Sequence, residues 1–389
     1  MRKLQTFITC LAGISLALSL TSPARCQQIS MDTTSARAVL RALHDPHLEL
    51  PQAMEIAHLA GNQGMIKKMR ELGEAETDEQ FANALVAAAH DRPAGSPQER
   101  SYNFLQVKSS AATISLLLDQ MEHGLDGVIR ARISSFLSKP GAISLKGFAV
   151  AGGDGGGYAF GGSNFFVNMA MSDDILMLQQ VSTHEGFHGV QGALYHEDIE
   201  HWVQGLTRPD DQSRDNFCSH AAALFMDLKN EGTAMYVGSD ELLKDSRGAT
   251  GKRIYAEWLY GNGHLSDSAG LLEVSVASMQ APRPVPYKLV YQVDFYGKGV
   301  VYFIGSAMTQ AIAEENGPHA IERVIEQPGF EFVLRYTRLK SYGTDGAHPR
   351  LDDNTVRAAQ LLHDGCPASS SWSHRGAPSV HGKQARKQD

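Results

Sequence analysis

Residues 175–198 read ILMLQQVSTHEGFHGVQGALYHED, and the hexad Thr183-His184-Glu185-Gly186-Phe187-His188 inside them decides how the rest is read. The run contains no proline, and its apolar residues recur at helical spacing, so it predicts one long, mostly buried helix. Ser172-Asp173-Asp174, just ahead, supplies an N-cap hydroxyl and acids near the positive end of the helix dipole. Positions four apart lie one above the other on a helix, so His184 and His188 share a face. Two neutral imidazole nitrogens held that way can fill two corners of a tetrahedral Zn²⁺ site. Glu185 is rotated off that face; it reaches a water rather than the metal and suits a general base. With 16 histidines in the chain the bare spacing is weak, and an ordinary histidine-bearing helix competes with it. The helical context gives the motif its weight.

A third ligand has two candidate sources. A third histidine in the metzincin manner needs glycine and histidine where Gln191 and Leu194 stand, while Gly192 and His196 are out of phase. A glutamate from a second helix is the alternative. Asp215-Asn216-Phe217 opens a helical run through Ala221, Leu224 and Leu228 that carries Glu231 on its apolar side. A surface glutamate near a helix end is the bland reading of the same residue.

Asn230-Glu231-Gly232-Thr233-Ala234 closely resembles the second zinc-binding motif of the gluzincins, including the aminopeptidase N-like enzymes. The gap from His188 is longer than in those enzymes, and the polar stretch Leu206–Arg214 reads as an inserted loop that accounts for it. Tyr302-Phe303-Ile304-Gly305 opens an apolar helix closing at Gly317, similar to the Tyr-x-x-Gly of that family, whose tyrosine stabilises the oxyanion. Tyr296-Gly297-Lys298-Gly299 matches the family's Tyr-x-Lys-Gly wording more literally. The distance to Gly317 favours Tyr302, which is preferred. The order of motifs also resembles a bacterial family of exported proteins described as zinc-dependent proteases. The resemblance spans about Ala142–Leu339. It implies Zn²⁺ held by His184, His188 and Glu231, Glu185 as base, Tyr302 as oxyanion donor and a peptide or protein substrate. It also implies that the strand before the motif helix is a sheet edge to which substrate adds, placed here at Gly162–Asn168.

Composition narrows the class. At 389 residues, 42% hydrophobic and 20% charged, the chain can bury an ample core. A net charge of −8 without a basic block gives no support to nucleic-acid binding. Gly152–Gly157 and Gly161-Gly162 contain neither GxGxxG nor GxxxxGK, so a nucleotide site is unsupported. Met1–Cys26 reads as a secretory signal peptide of the bacterial kind, with Arg2 and Lys3 followed by an apolar Phe7–Leu20 and then small residues. That apolar run is too short to span a membrane, and nothing later is apolar enough. An exported protein is therefore expected, periplasmic or secreted. Cys218 and Cys366 could then form one disulfide.

Four regions follow: the leader at 1–26, a helical region at 27–140, a zincin-like core at 141–366 and a disordered tail at 367–389. The expected fold is α+β and mostly helical, with a small β-sheet. Helices are expected at Gln52–Leu72, Asp78–Ala89, Ser109–Leu137 and within His319–Leu339, and strands at Ala142–Val150 and Asn164–Met171. Tyr255–Met279 is mixed, and Pro282–Pro286 a rigid connector. Two other functions fit the same residues. One is a non-catalytic periplasmic zinc- or peptide-binding module whose site is closed by His196, His201 or His220. The other is a metal-dependent amidase acting on a non-protein substrate such as a cell-wall amide.

Overall fold

The computed structural model describes residues 28–366, apart from 76, 140–142, 195–216 and 298. The proposed leader, the Leu206–Arg214 loop, His196, His201 and the tail lie outside the described residues. The fold is α+β and mostly helical, with one four-stranded mixed sheet. Its strands are β1 (Gln28–Asp32), β2 (Ser144–Val150), β3 (Gly157–Ala159) and β4 (Asn164–Asn168), in the order β1-β2-β4-β3. β1 and β4 run parallel to β2, with Ile29 opposite Leu145 and Phe166 opposite Phe148. β3 is antiparallel to β4, with Tyr158 opposite Phe166.

Neighbouring strand residues point to opposite faces, and β4 shows what covers each. Phe166 meets the helix Ala60–Glu71, where a Cβ on Gly64 would lie 2.0 Å from its ring. Phe165 faces the motif helix Ile175–Leu194, its ring 3.7 Å from where Gly186 would carry a Cβ. The sheet is thus sandwiched between N-terminal helices and the motif helix. β1 belongs to a stretch whose sequence shows only helical periodicity, and it is an unexpected strand. The edge role expected of β4 is corrected: β4 is interior, and β3 takes the free edge next to the motif helix.

Several expected boundaries move for local reasons. The strand Asn164–Met171 stops at Asn168, whose Oδ1 accepts from Ala170 N at 3.1 Å and folds Met169–Met171 into a turn. The long helix Ser109–Leu137 breaks into Ala111–Gln120 and Asp126–Ser134 around Gly124, which sits at φ 113°. Gln52–Leu72 divides into Leu50–Ala57 and Ala60–Glu71, whereas Asp78–Ala89 is one helix capped by Thr77. The mixed stretch is two helices, Ala249–Gly263 and Leu265–Gln280. Asp353–His363 is a further, unexpected helix.

Two hydrophobic clusters fill the molecule. One gathers the sheet, the N-terminal helices and the motif helix through Phe81, Ile129, Phe165 and Phe187. The other gathers the C-terminal helices with most of the helix Phe217–Gly238, through Phe225, Ile304 and Phe332. Ala234 and Val237, at the end of that same helix, belong to the first cluster. Phe217–Gly238 therefore runs through the seam between the two. Cys218, near its start, is disulfide-bonded to Cys366, with Cα atoms 6.3 Å apart. Arg132 caps its other end, donating from Nε to Val237 O at 2.9 Å.

Candidate metal centre

The motif helix begins where the acids predict, but Asp174 is its cap: Asp174 Oδ1 accepts from Met177 N at 2.8 Å. Along it His184 and His188 face the seam, their Nε2 atoms 3.1 Å apart. Glu231, from Phe217–Gly238, brings Oε2 to 3.4 Å from each of those nitrogens. Donors bound at 2.0–2.1 Å to a tetrahedral zinc stand about 3.3 Å apart, so the donor set fits that ion without rearrangement. Among the described residues these three form the one group of histidines, cysteines and carboxylates close enough to share a metal.

The electrostatics agree with a cation between them. Burial opposes charge on Glu231, yet the two imidazoles hold its carboxyl well below the ordinary range. Burial likewise opposes a charged His188, and the Glu231 carboxylate outweighs it, lifting the imidazole to about 9. Glu231 is thus a buried anion whose partners are the other two prospective ligands. On Glu185 burial dominates and raises the carboxyl pKa, against the pull of both histidines.

A glutamine behind the prospective ligands fixes which ring nitrogen faces them. Gln191 lies one turn beyond His188 and donates from Nε2 to Asn230 O and Thr233 Oγ1, each at 2.8 Å. Its Oε1 is left to accept, and His188 Nδ1 is 2.8 Å away. His188 therefore donates Nδ1–H to Gln191, which leaves Nε2 to face Glu231 and His184 as the atom a metal would take in place of a proton. Sequence reasoning meets Gln191 only as a missing glycine, although its spacing of three from His188 already places it on the same face.

The glycines of the motifs have a shared purpose. Phe217–Gly238 crosses the helix Val300–Asn316 at Gly232 and Gly305: a Cβ on Gly232 would lie 2.3 Å from Gly305 C. Only bare backbones fit that crossing. It sets Tyr302, one turn before Gly305, beside the centre, its ring centroid 6.3 Å from that of His184. The Tyr302 side chain is largely buried, and burial together with Glu231 and Glu185 keeps its hydroxyl protonated. Tyr296 lines the same cleft but is 61% exposed and packs edge-on against Phe295. Tyr291, which the sequence does not single out, also lines the cleft.

The centre opens into a cleft of about 1640 Å³. One lip is the glycine-rich segment Gly155–Gly162; Trp258, Tyr260, Phe295 and Phe303 line it elsewhere. Glu185 sits directly under β3, where a Cβ on Gly157 would lie 2.4 Å from its Cγ. Asn168 N donates to Gly156 O at 2.9 Å. By the alternation of an antiparallel ladder, Tyr158 pairs inward while Gly157 and Ala159 turn N–H and C=O outward. His220 is remote from the centre. It lies three turns before Glu231 on the same helix, about 16 Å along the axis, and stacks on Tyr287.

Neither curated proteins nor solved structures give a match to the chain. A family model described as "Putative zinc dependent peptidase (DUF5700)" matches residues 54–341, which include the sheet strands β2 to β4, both ligand-bearing helices and Tyr302. The match covers well over half of the sequence, and the chain belongs to that family.

Proposed function

We propose that the protein is an exported zinc metallopeptidase in which His184, His188 and Glu231 hold the metal and Glu185 is the general base. The observation that carries this is the convergence of three donors at zinc spacing, beside a buried carboxylate, on the floor of an open cleft. A zinc held there would supply Lewis-acid activation of water and of the scissile carbonyl. Glu185 takes the proton of the attacking water and returns it to the leaving amine, a shuttle favoured by its raised pKa. Tyr302 donates its hydroxyl to the developing oxyanion. An extended substrate lies along β3, taking its main-chain hydrogen bonds from Gly157 and Ala159. The disulfide supports export, since such bonds persist in oxidising compartments.

The test pairs metal content with turnover. The purified mature chain should carry one zinc, lost in His188→Ala and Glu231→Ala. Glu185→Gln should keep the metal and lose at least about a hundredfold in peptide cleavage. Normal cleavage by Glu185→Gln would sink the mechanism, and zinc retention without Glu231 would sink the ligand set.

A further inference from the structure

The cleft is rich in acids: Glu185, Asp227, Glu231, Asp240 and Glu257 all line it. Among the described residues one lysine and one arginine line it as well, Lys68 and Arg253. Arg253 is already engaged, its Nη1 2.7 Å from Glu257 Oε1. Lys68 is half-buried, and its side chain forms no ion pair or hydrogen bond among the described residues.

Lys68 comes from the helix Ala60–Glu71, which covers the face of the sheet turned away from the motif helix. Met65 and Met69 of that helix pack where Gly153 would carry a Cβ, and this anchors the helix beside the glycine-rich lip. To line the cleft, Lys68 has to reach past the free edge of β3. A half-buried ammonium with no partner among the described residues lacks part of its hydration, and an incoming anion restores that loss. Next to it lies a second depression of about 360 Å³, lined by Lys67, Arg70, Phe160 and Phe166. Phe160 borders both spaces, and Lys67 Nζ stands 4.0 Å over its ring. A chain leaving the cleft past Phe160 meets further positive charge.

We propose that Lys68 forms a carboxylate-binding subsite at the β3 edge, selecting peptides that carry an anion near the cleaved bond. The proposal rests on the peptidase reading. Two sources share this chemistry, the C-terminal carboxylate of a short peptide and an Asp or Glu side chain.

The experiment uses zinc-loaded mature protein and quenched-fluorescent octapeptides made in matched pairs. One arm compares a free C-terminal acid with its amide; the other compares Glu with Gln at each position in turn. Wild type should favour the anionic member of one arm by about tenfold in kcat/KM, mostly through KM. Lys68→Met should bring that ratio close to one, and Lys68→Arg should restore most of it. Zinc content and thermal midpoint are measured on both variants to separate site from fold. A wild-type ratio near one in both arms, or a ratio unchanged in Lys68→Met, overturns the subsite. If no peptide is cleaved, the peptidase reading falls, and binding of the same pairs is followed by tryptophan fluorescence from Trp258. Acid-selective binding lost in Lys68→Met keeps the subsite; equal binding overturns it.

Discussion

At the scale of single residues, Gln191 shows how little of a metal site need be metal ligand. Its amide spans the two ligand-bearing helices and assigns the proton of His188. Gln191→Ala should weaken zinc binding by about 10- to 100-fold, read by competition with a chromophoric chelator. An unchanged affinity would leave the residue a packing role alone. Asp294 is a second case, away from the centre. It is almost fully buried, accepts from Ser275 Oγ at 2.8 Å, and leaves its other oxygen without a partner. Burial pushes its carboxyl up to about 6. A raised carboxyl pKa means stability that is complete below the unfolded value and is lost as pH rises through about 6. Asp294→Asn should therefore stabilise the protein at pH 8 by about 2 kcal/mol and give no gain at pH 4, as read by denaturant melts. The proposed ligands are legible in the sequence because helical spacing alone brings His184 and His188 together. Glu231 requires a match of wording as well. Lys68 and Asp294 cannot be read there, because their setting comes from elements far away in the chain.

Among the elements, β3 and the Gly232–Gly305 crossing do the positioning. β3 is only three residues long and is hidden in a glycine-rich stretch with no alternation to mark a strand. β4, three apolar residues between Asn164 and Asn168, is visible as a strand, and the resemblance assigns it the edge role. Strand order is a property of pairing, and nothing local in the sequence encodes it. Ala159→Pro removes an outward N–H from the edge while leaving the metal ligands untouched, and edge strands tolerate proline. It should raise KM for extended peptides several-fold with zinc content unchanged; an unaltered KM would show that substrate does not add to this strand. Breaks inside the expected helices at Ala57–Ala60 and Gly124 are equally illegible, since the apolar spacing continues across them. The crossing glycines, in contrast, stand in plain view within both motifs. Their reason, two backbones in contact, appears only when the helices are seen together.

Over the whole molecule, the mostly helical α+β class follows from the dominance of helical spacing, with the strands confined to a few alternating runs. The docking of an N-terminal strand, β1, into the sheet does not follow. The Cys218–Cys366 bond closes a span of 148 residues and fastens the C-terminal helices to the start of Phe217–Gly238. Replacing both cysteines with serine should cost about 2–5 kcal/mol of stability. Thermal melts with and without reductant should show the same loss in the wild type, and a reductant-insensitive midpoint would count against it. Cleavage should survive below the lowered midpoint, because the centre lies toward the other end of that helix.

The seam has a consequence for how the metal and the fold depend on one another. His184 and His188 sit on a helix of the first hydrophobic cluster, while Glu231 rides on the helix that threads both. The three donors converge only while the two halves are clasped, so an ion held there would work as a rivet driven through a joint. Its affinity is then part of the joint's own strength. Stripping it with a chelator should loosen the clasp before it melts either half. Zinc release during mild denaturation would serve as a signal for the parting of the halves, ahead of any loss of helix.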